Sequence, residues 1–136
     1  MRQIEDDLRA LINQSFQRKF SIVSSEEMWH PLTDVYETKN EIIVRMDIPG
    51  VEAKDLHIVV ENQKLIVQGA RKDLDQEGKI SYHRMEINYG PFRRVILLPV
   101  AVQTKGVKAK YKNGFLEIKL PFSEDISDNF MAIDIE

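Results

Sequence analysis

The chain contains no cysteine among its 136 residues, so disulfide bonds and thiolate zinc sites are excluded. Its stability must come from packing and assembly, which is compatible with a reducing cytoplasm. Long apolar runs are also missing, because no stretch approaches the roughly 20 residues that span a bilayer. The acids Glu5, Asp6 and Asp7 make the N-terminus unlike a secretory leader. We therefore expect a cytoplasmic protein without stable membrane insertion.

An excess of positive charge is absent too. A net charge of -3 gives no electrostatic reason to expect nucleic acid as a partner. The three histidines, His30, His57 and His83, stand at wide spacing without a metal-binding array. The chain has neither a phosphate-binding glycine loop nor a nucleophile elbow, although a Ser-His-Asp cluster assembled only in space stays open. We expect no enzyme, no catalytic residues, no metal and no cofactor.

The residues that are present describe one folded domain with appendages, since 43% are hydrophobic and 30% are charged. Residues 1–28 form an N-terminal arm that is predicted to be partly helical. Its apolar residues recur at helical spacing, namely Ile4, Leu8, Leu11, Ile12 and Phe16. Such a face either packs on its own domain or binds another protein. Binding to a membrane surface is less favoured, because the polar face lacks a basic stripe.

From residue 29 onward the apolar period changes to two, which is typical of strands with one buried face. In the first clear case the alternating residues are Ile42, Val44, Met46 and Ile48. Further strands are predicted over residues 32–36, 56–60, 64–68, 82–87, 93–98, 107–111 and 115–120. Short polar links, among them Asn113-Gly114, predict hairpins. About eight short strands without helices between them indicate an all-β, antiparallel, immunoglobulin-like sandwich.

Two other segments depart from this pattern. Residues 71–79 are mostly charged and predict an exposed loop that separates the strand at 82–87 from the main body. Residues 122–136 are acidic at first and predict a mobile tail. The tail ends with Ile133 and Ile135 on one side of an extended strand, and these side chains need a pocket on this chain or on another.

Five motifs occur in order along the chain: PLTDVYET at 31–38, MDIPGV at 46–51, YGPFRR at 89–94 followed by Leu98-Pro99, NGFL at 113–116, and IDI at 133–135. Together they resemble the alpha-crystallin domain of bacterial small heat-shock proteins, over roughly residues 29–121. Two positions depart from the family's pattern. Leu97 stands where a basic residue is common, and Pro91 where a small polar residue is common.

The resemblance implies an ATP-independent holding chaperone that binds partially unfolded client proteins and prevents their aggregation under stress. It also implies a dimer that assembles into a higher homo-oligomer. A monomeric or dimeric sandwich-fold co-chaperone, or another protein-interaction module, is the alternative. The terminal isoleucines and the long loop disfavour this alternative.

The same resemblance assigns roles to particular residues. Ile133 and Ile135 of one subunit are expected to fill a groove on another, lined by Leu56, Ile58, Val60, Val107, Ala109 and Tyr111. The dimer interface is expected to join two sets of residues: Tyr82, His83, Arg84, Met85 and Glu86 of one subunit, with Leu32 and Val35 of its partner. Arg94 either forms an ion pair near this interface or is solvated, with little energetic effect. Clients are expected on the apolar face of the arm, at Ile4, Leu8, Leu11, Ile12 and Phe16.

Overall fold

The computed structural model describes residues 28–61, 63–73, 77–78, 81–123 and 130–136. The helix predicted for the N-terminal arm lies outside these residues. The described part contains eight strands: β1 (Thr33–Glu37), β2 (Glu41–Asp47), β3 (His57–Glu61), β4 (Lys64–Arg71), β5 (Gly90–Leu97), β6 (Lys108–Lys112), β7 (Phe115–Pro121) and β8 (Phe130–Ile133). Two short 3-10 helices, Ala53–Asp55 and Thr104–Gly106, precede β3 and β6.

The strands form two four-stranded antiparallel sheets, which confirms the predicted sandwich. One sheet has the order β1-β2-β7-β6, and the other has the order β5-β4-β3-β8. Strands β1 and β6 are the edges of the first sheet, and β5 and β8 are the edges of the second. Edge strands keep unpaired backbone groups, which makes them the places where another strand can be added.

The core lies between the sheets and is built by the alternation seen in the sequence. Ile42, Val44 and Met46 of β2 are fully buried, whereas Arg45 between them is exposed. Leu65 and Val67 of β4 and Phe92 of β5 face them from the second sheet, in one continuous cluster. Alternate residues of the core-facing strands thus point into this cluster, as the period of two predicts, whereas β1 is exposed apart from the half-buried Thr33.

The two predicted hairpins are confirmed. Strand β3 pairs with β4 and β6 pairs with β7, both antiparallel. In the β6–β7 turn, Asn113 and Gly114 have φ angles of 55° and 82°. Both positive values are typical of the tight turn that Asn-Gly favours.

The strand predicted over residues 82–87 is wrong for the single chain, because residues 81–89 form no strand and are exposed. A strand needs a neighbour for its backbone N–H and C=O groups, and the described part of this chain supplies none at that position. Alternating apolar side chains indicate a strand, but they do not indicate whether the neighbouring strand belongs to the same chain or to another. The eighth strand is instead β8, formed by part of the predicted tail.

Candidate binding sites at two sheet edges

The first candidate site is a groove between β3 of one sheet and β6 of the other, and β8 pairs with β3 there. The C-terminal residues lie in it as an extended segment, here called the tail segment (residues 130–136). Strand β8 pairs with β3, and Ile133 lies opposite Ile58. Ile135 forms a bridge with Ala109 of β6, and the Glu136 N–H donates to the Ala109 carbonyl oxygen at 2.7 Å. Backbone pairing therefore connects the tail segment to both sheets.

Side chains of the tail segment fill this groove. Ile133 and Ile135 are half-buried and pack against the core cluster. The six residues that were predicted to line the groove all belong to that cluster or pack against it: Leu56, Ile58, Val60 and Ala109 are buried, and Val107 and Tyr111 are half-buried. The Tyr111 hydroxyl donates to the Ile48 carbonyl oxygen at 2.8 Å, which satisfies its polar end.

The cavity beside the tail segment also includes four residues that the sequence reasoning missed: Ala53, Lys54, His57 and Val59. Ala53 and Lys54, from the first 3-10 helix, line it together with Leu56. A single helical turn has no apolar period, so no pattern in the sequence identifies them. The tail lies on the groove of its own chain here, which is one of the two possibilities that the sequence left open.

The second candidate site is the free edge of β1. Leu32, Val35 and Tyr36 are exposed along it, and Leu32 reaches 79% exposure. The Asp47 N–H donates to Leu32 oxygen, and the Thr38 N–H donates to Glu41 oxygen. Antiparallel pairing alternates along a strand, so the even-numbered residues of β1 bond to β2. The N–H groups of Thr33 and Val35 therefore point to the open edge.

A third feature is the exposed segment from residue 81 to 89, here called the 81–89 segment. It presents four large apolar side chains to solvent: Tyr82, Met85, Ile87 and Tyr89. His83, Arg84 and Glu86 are exposed as well, and an Arg84 Nη1 lies 3.5 Å from a carboxylate oxygen of Glu86. Contiguous exposed apolar side chains on a folded domain mark an interaction surface.

Arg94 lies on β5, and its Nε is buried without a hydrogen-bond partner. Within the described part of a single chain no ion pair involves Arg94. The predicted ion pair therefore stays a prediction that concerns a second subunit. A buried guanidinium nitrogen without a partner favours it over a fully solvated side chain.

One further residue, Arg71 at the end of β4, was missed by the sequence reasoning, which placed it in a solvated loop. Its Nε and one Nη donate to the Asn88 carbonyl oxygen at 2.8 and 2.6 Å. The other Nη donates to Pro49 oxygen at 3.1 Å. The guanidinium also stacks on the Trp29 ring, 4.5 Å from its centroid. Arg71 therefore contacts the end of the 81–89 segment.

The described residues contain no group of three or more His, Asp or Glu side chains that could hold a metal ion. No helix in this part of the chain is long and apolar enough to cross a membrane. The chemistry visible at both edges is backbone pairing and apolar contact.

A sandwich with a groove that takes an extended apolar segment, and with a second free edge beside an exposed apolar segment, defines a class of proteins that bind other polypeptides by strand addition. The chain belongs to the Hsp20/alpha crystallin family, which it matches over residues 34–136.

Two heat shock proteins of similar sequence agree with this membership. The chain is 33% identical to small heat shock protein C2 of Rickettsia felis over 101 residues, which cover 74% of this chain and 66% of that protein. It is 34% identical to a probable 15 kDa heat shock protein of Leptospira interrogans, with 67% and 68% of the two chains covered. The match thus spans about two thirds of each of these relatives.

A solved structure has the same fold. The hspA structure from Xanthomonas axonopodis superposes with a TM-score of 0.64 at 28% identity, covering 74% of this chain and 99% of the other.

Proposed function

We propose that this chain is a subunit of an ATP-independent holding chaperone, which binds partially unfolded proteins and limits their aggregation under stress. The observation that carries the proposal is the groove between β3 and β6, which takes an extended apolar segment by backbone pairing and side-chain insertion. Membership of the Hsp20/alpha crystallin family and the heat shock relatives support it. Binding of this kind shifts the unfolding equilibrium by mass action and needs neither a nucleotide nor a catalytic group.

The assembled form uses the tail segment between subunits. In this proposal Ile133 and Ile135 of one subunit occupy the groove of another, in the manner that the tail segment occupies its own groove here. Half-burial of two isoleucine side chains contributes roughly 2 to 4 kcal/mol before ordering costs. Single contacts of that size exchange readily, yet many of them in one oligomer hold together through effective concentration.

The dimer uses the other edge. Residues 82–86 of one subunit lie along β1 of its partner, near Leu32 and Val35, and the two copies of this contact follow from two-fold symmetry. The exposure of the 81–89 segment and the outward N–H groups of β1 support this pairing, because each offers the backbone groups that the other lacks. Arg94 forms an ion pair near the same interface.

Client proteins bind the apolar residues of the N-terminal arm and grooves that a tail has vacated. The clients are partially unfolded proteins and not nucleic acids, because the net charge of the chain is -3. We place the protein in the cytoplasm, without stable membrane insertion and without enzymatic activity.

Light scattering of a heat-labile client, without ATP, tests the proposal when it is combined with size-exclusion chromatography and mass detection. We expect suppressed aggregation, a mass of many subunits, and protection that rises with the ratio of chaperone to client. A monomer that leaves the client to aggregate would contradict it. A sandwich-fold co-chaperone or interaction module would then be the better description.

A further inference from the structure

The C-terminal end of the 81–89 segment is attached to the sandwich by one side chain. Arg71 donates two hydrogen bonds to the carbonyl oxygen of Asn88, and a third to that of Pro49 in the connection between β2 and β3. Asn88 belongs to the segment, whereas Pro49 belongs to the main body. The guanidinium therefore fixes the end of an otherwise exposed segment to two other parts of the chain.

The Arg71 guanidinium lies over the ring of Trp29 and near that of Tyr89. Its central carbon lies 4.5 Å from the Trp29 ring centroid and 5.7 Å from that of Tyr89. Trp29 is itself fixed, since its Nε1 donates to Gly90 oxygen at 3.1 Å and its ring packs on Phe92 at 5.0 Å. Gly90, with a φ of 89°, then turns the chain from the segment into β5. The stack defines where the guanidinium lies, and its hydrogen bonds define where Asn88 lies.

Only an arginine suits this position. Its planar fork carries five N–H donors and stacks flat on a ring, whereas lysine presents three donors from one point. A lysine at residue 71 has a single nitrogen for both carbonyl oxygens and no planar group to stack on the Trp29 ring. The contact therefore depends on the shape of the side chain and not on its charge alone.

We propose that Arg71 is a positioning residue for dimer formation: it holds the end of the 81–89 segment so that residues 82–86 project toward the β1 edge of a partner subunit. This inference rests on the proposed function, which assigns the segment to the dimer interface. A segment that is already oriented loses less conformational freedom on binding, and this preorganisation strengthens association. Arg71 itself need not touch the partner.

The test compares three full-length proteins: the natural chain, Arg71→Lys, and the control Arg45→Lys. Arg45 also stacks on an aromatic ring, with its guanidinium carbon 4.4 Å from the Phe115 centroid, but it lies in β2, in the middle of the other sheet. Native mass spectrometry at increasing dilution measures monomer release, and mixing with 15N-labelled protein measures subunit exchange. Fluorescence of Trp29, the only tryptophan in the chain, reports the stack. Thermal unfolding by circular dichroism reports the sandwich.

For Arg71→Lys we expect the dimer dissociation constant to rise about tenfold or more, because hydrogen bonds from a charged group are lost. Subunit exchange should accelerate, the Trp29 emission should change, and the sandwich should stay folded. Arg45→Lys should change none of these. If Arg71→Lys unfolds the domain, Trp29→Phe keeps an apolar ring against Phe92 and weakens the stack, with an expected rise of about threefold.

The outcomes separate the inference from the function on which it rests. A natural chain that is monomeric overturns the proposed function. A natural chain that dimerises, together with an Arg71→Lys variant of equal association and exchange, overturns only the positioning role. An equal loss in Arg45→Lys also overturns it, because a general effect of replacing a stacked arginine would then explain the result.

Discussion

At the scale of single residues, close packing within one sheet is decided where β4 pairs with β5, at Gly69 and Phe92. A Cβ atom added to Gly69 would lie 2.6 Å from the Phe92 ring and 2.9 Å from the Asp55 carbonyl oxygen. Both neighbours are rigid, since Phe92 is fully buried and the other contact is backbone. Glycine at residue 69 therefore allows the largest buried ring of the core to lie against the strand.

We expect Gly69→Ala to lower the free energy of unfolding by about 1 to 3 kcal/mol, the usual cost of overpacking a core. Thermal or urea unfolding measures the change. Gly106→Ala is the comparator, because the nearest atoms to its added Cβ are side-chain carbons of Pro121, the first at 2.9 Å, and no backbone atom. That variant should lose less. Equal stability of Gly69→Ala and the natural chain would mean that the Phe92 ring has room to move.

Residues differ in how well the sequence predicts them, for a physical reason. Ile42 and Val44 are predicted correctly because burial of an apolar side chain leaves a periodic pattern. Gly69 has no side chain and Arg71 has a charged one, so neither carries a mark of its packing role. Their importance comes from neighbours distant in the sequence, Phe92 for one and Asn88 for the other.

At the scale of elements, the sequence predicts the strands that face the core. It predicts the strand boundaries and the pairing of exposed strands less well. Strand β5 begins at Gly90 and not at residue 93, and β4 continues to Arg71. The alternation of Ile133 and Ile135 shows that the tail segment needs cover, and the structure supplies it on β3 and β6. For residues 82–87 the same alternation is present, yet no described strand of the single chain lies beside them.

The free edge of β1 can be tested by removing one backbone donor. The Val35 N–H points away from β2, so Val35→Pro removes no hydrogen bond within the sheet but blocks strand addition. We expect the dimer dissociation constant to rise about tenfold or more, since a symmetric dimer contains the contact twice. Mass measurement on dilution checks this. Val35→Ala, which keeps the N–H, should associate more tightly than Val35→Pro, and equal association of the two would argue against pairing at this edge.

The tail segment makes a separate prediction. Ile133→Ala combined with Ile135→Ala removes about 1 to 2 kcal/mol of apolar burial per side chain, because both are only half-buried. We expect the assembly to shrink to small units while the sandwich stays folded, measured by size exclusion with mass detection and by circular dichroism. Asp134→Ala, at the exposed residue between them, is the control and should keep the natural mass. An unchanged mass of the double variant would exclude the anchoring role.

At the scale of the whole molecule, the proposed assembly uses two separate contacts. The groove lies between β3 and β6, whereas the proposed dimer edge is β1, at the opposite side of its sheet from β6. We therefore expect loss of the tail contact to leave the dimer contact available, and the reverse. Under this proposal an oligomer can release small units that remain folded. The sequence alone predicts both surfaces but not their separation, which depends on strand order.

The separate roles of the sandwich and of the N-terminal arm can be tested by measuring protection of a client protein. Residues 1–28 carry the apolar face predicted to bind unfolded proteins, whereas the buried cluster within the described residues lies between 42 and 120. Leu8→Ser with Leu11→Ser should therefore reduce protection of a heat-stressed client several-fold and leave the unfolding temperature of the sandwich unchanged. Glu5→Ser with Arg9→Ser, which changes the polar face of the same predicted helix, should protect like the natural chain.

Full protection by the leucine variant would mean that clients bind the groove and not the arm. The double isoleucine variant, whose groove is more often vacant, would then protect better than the natural chain.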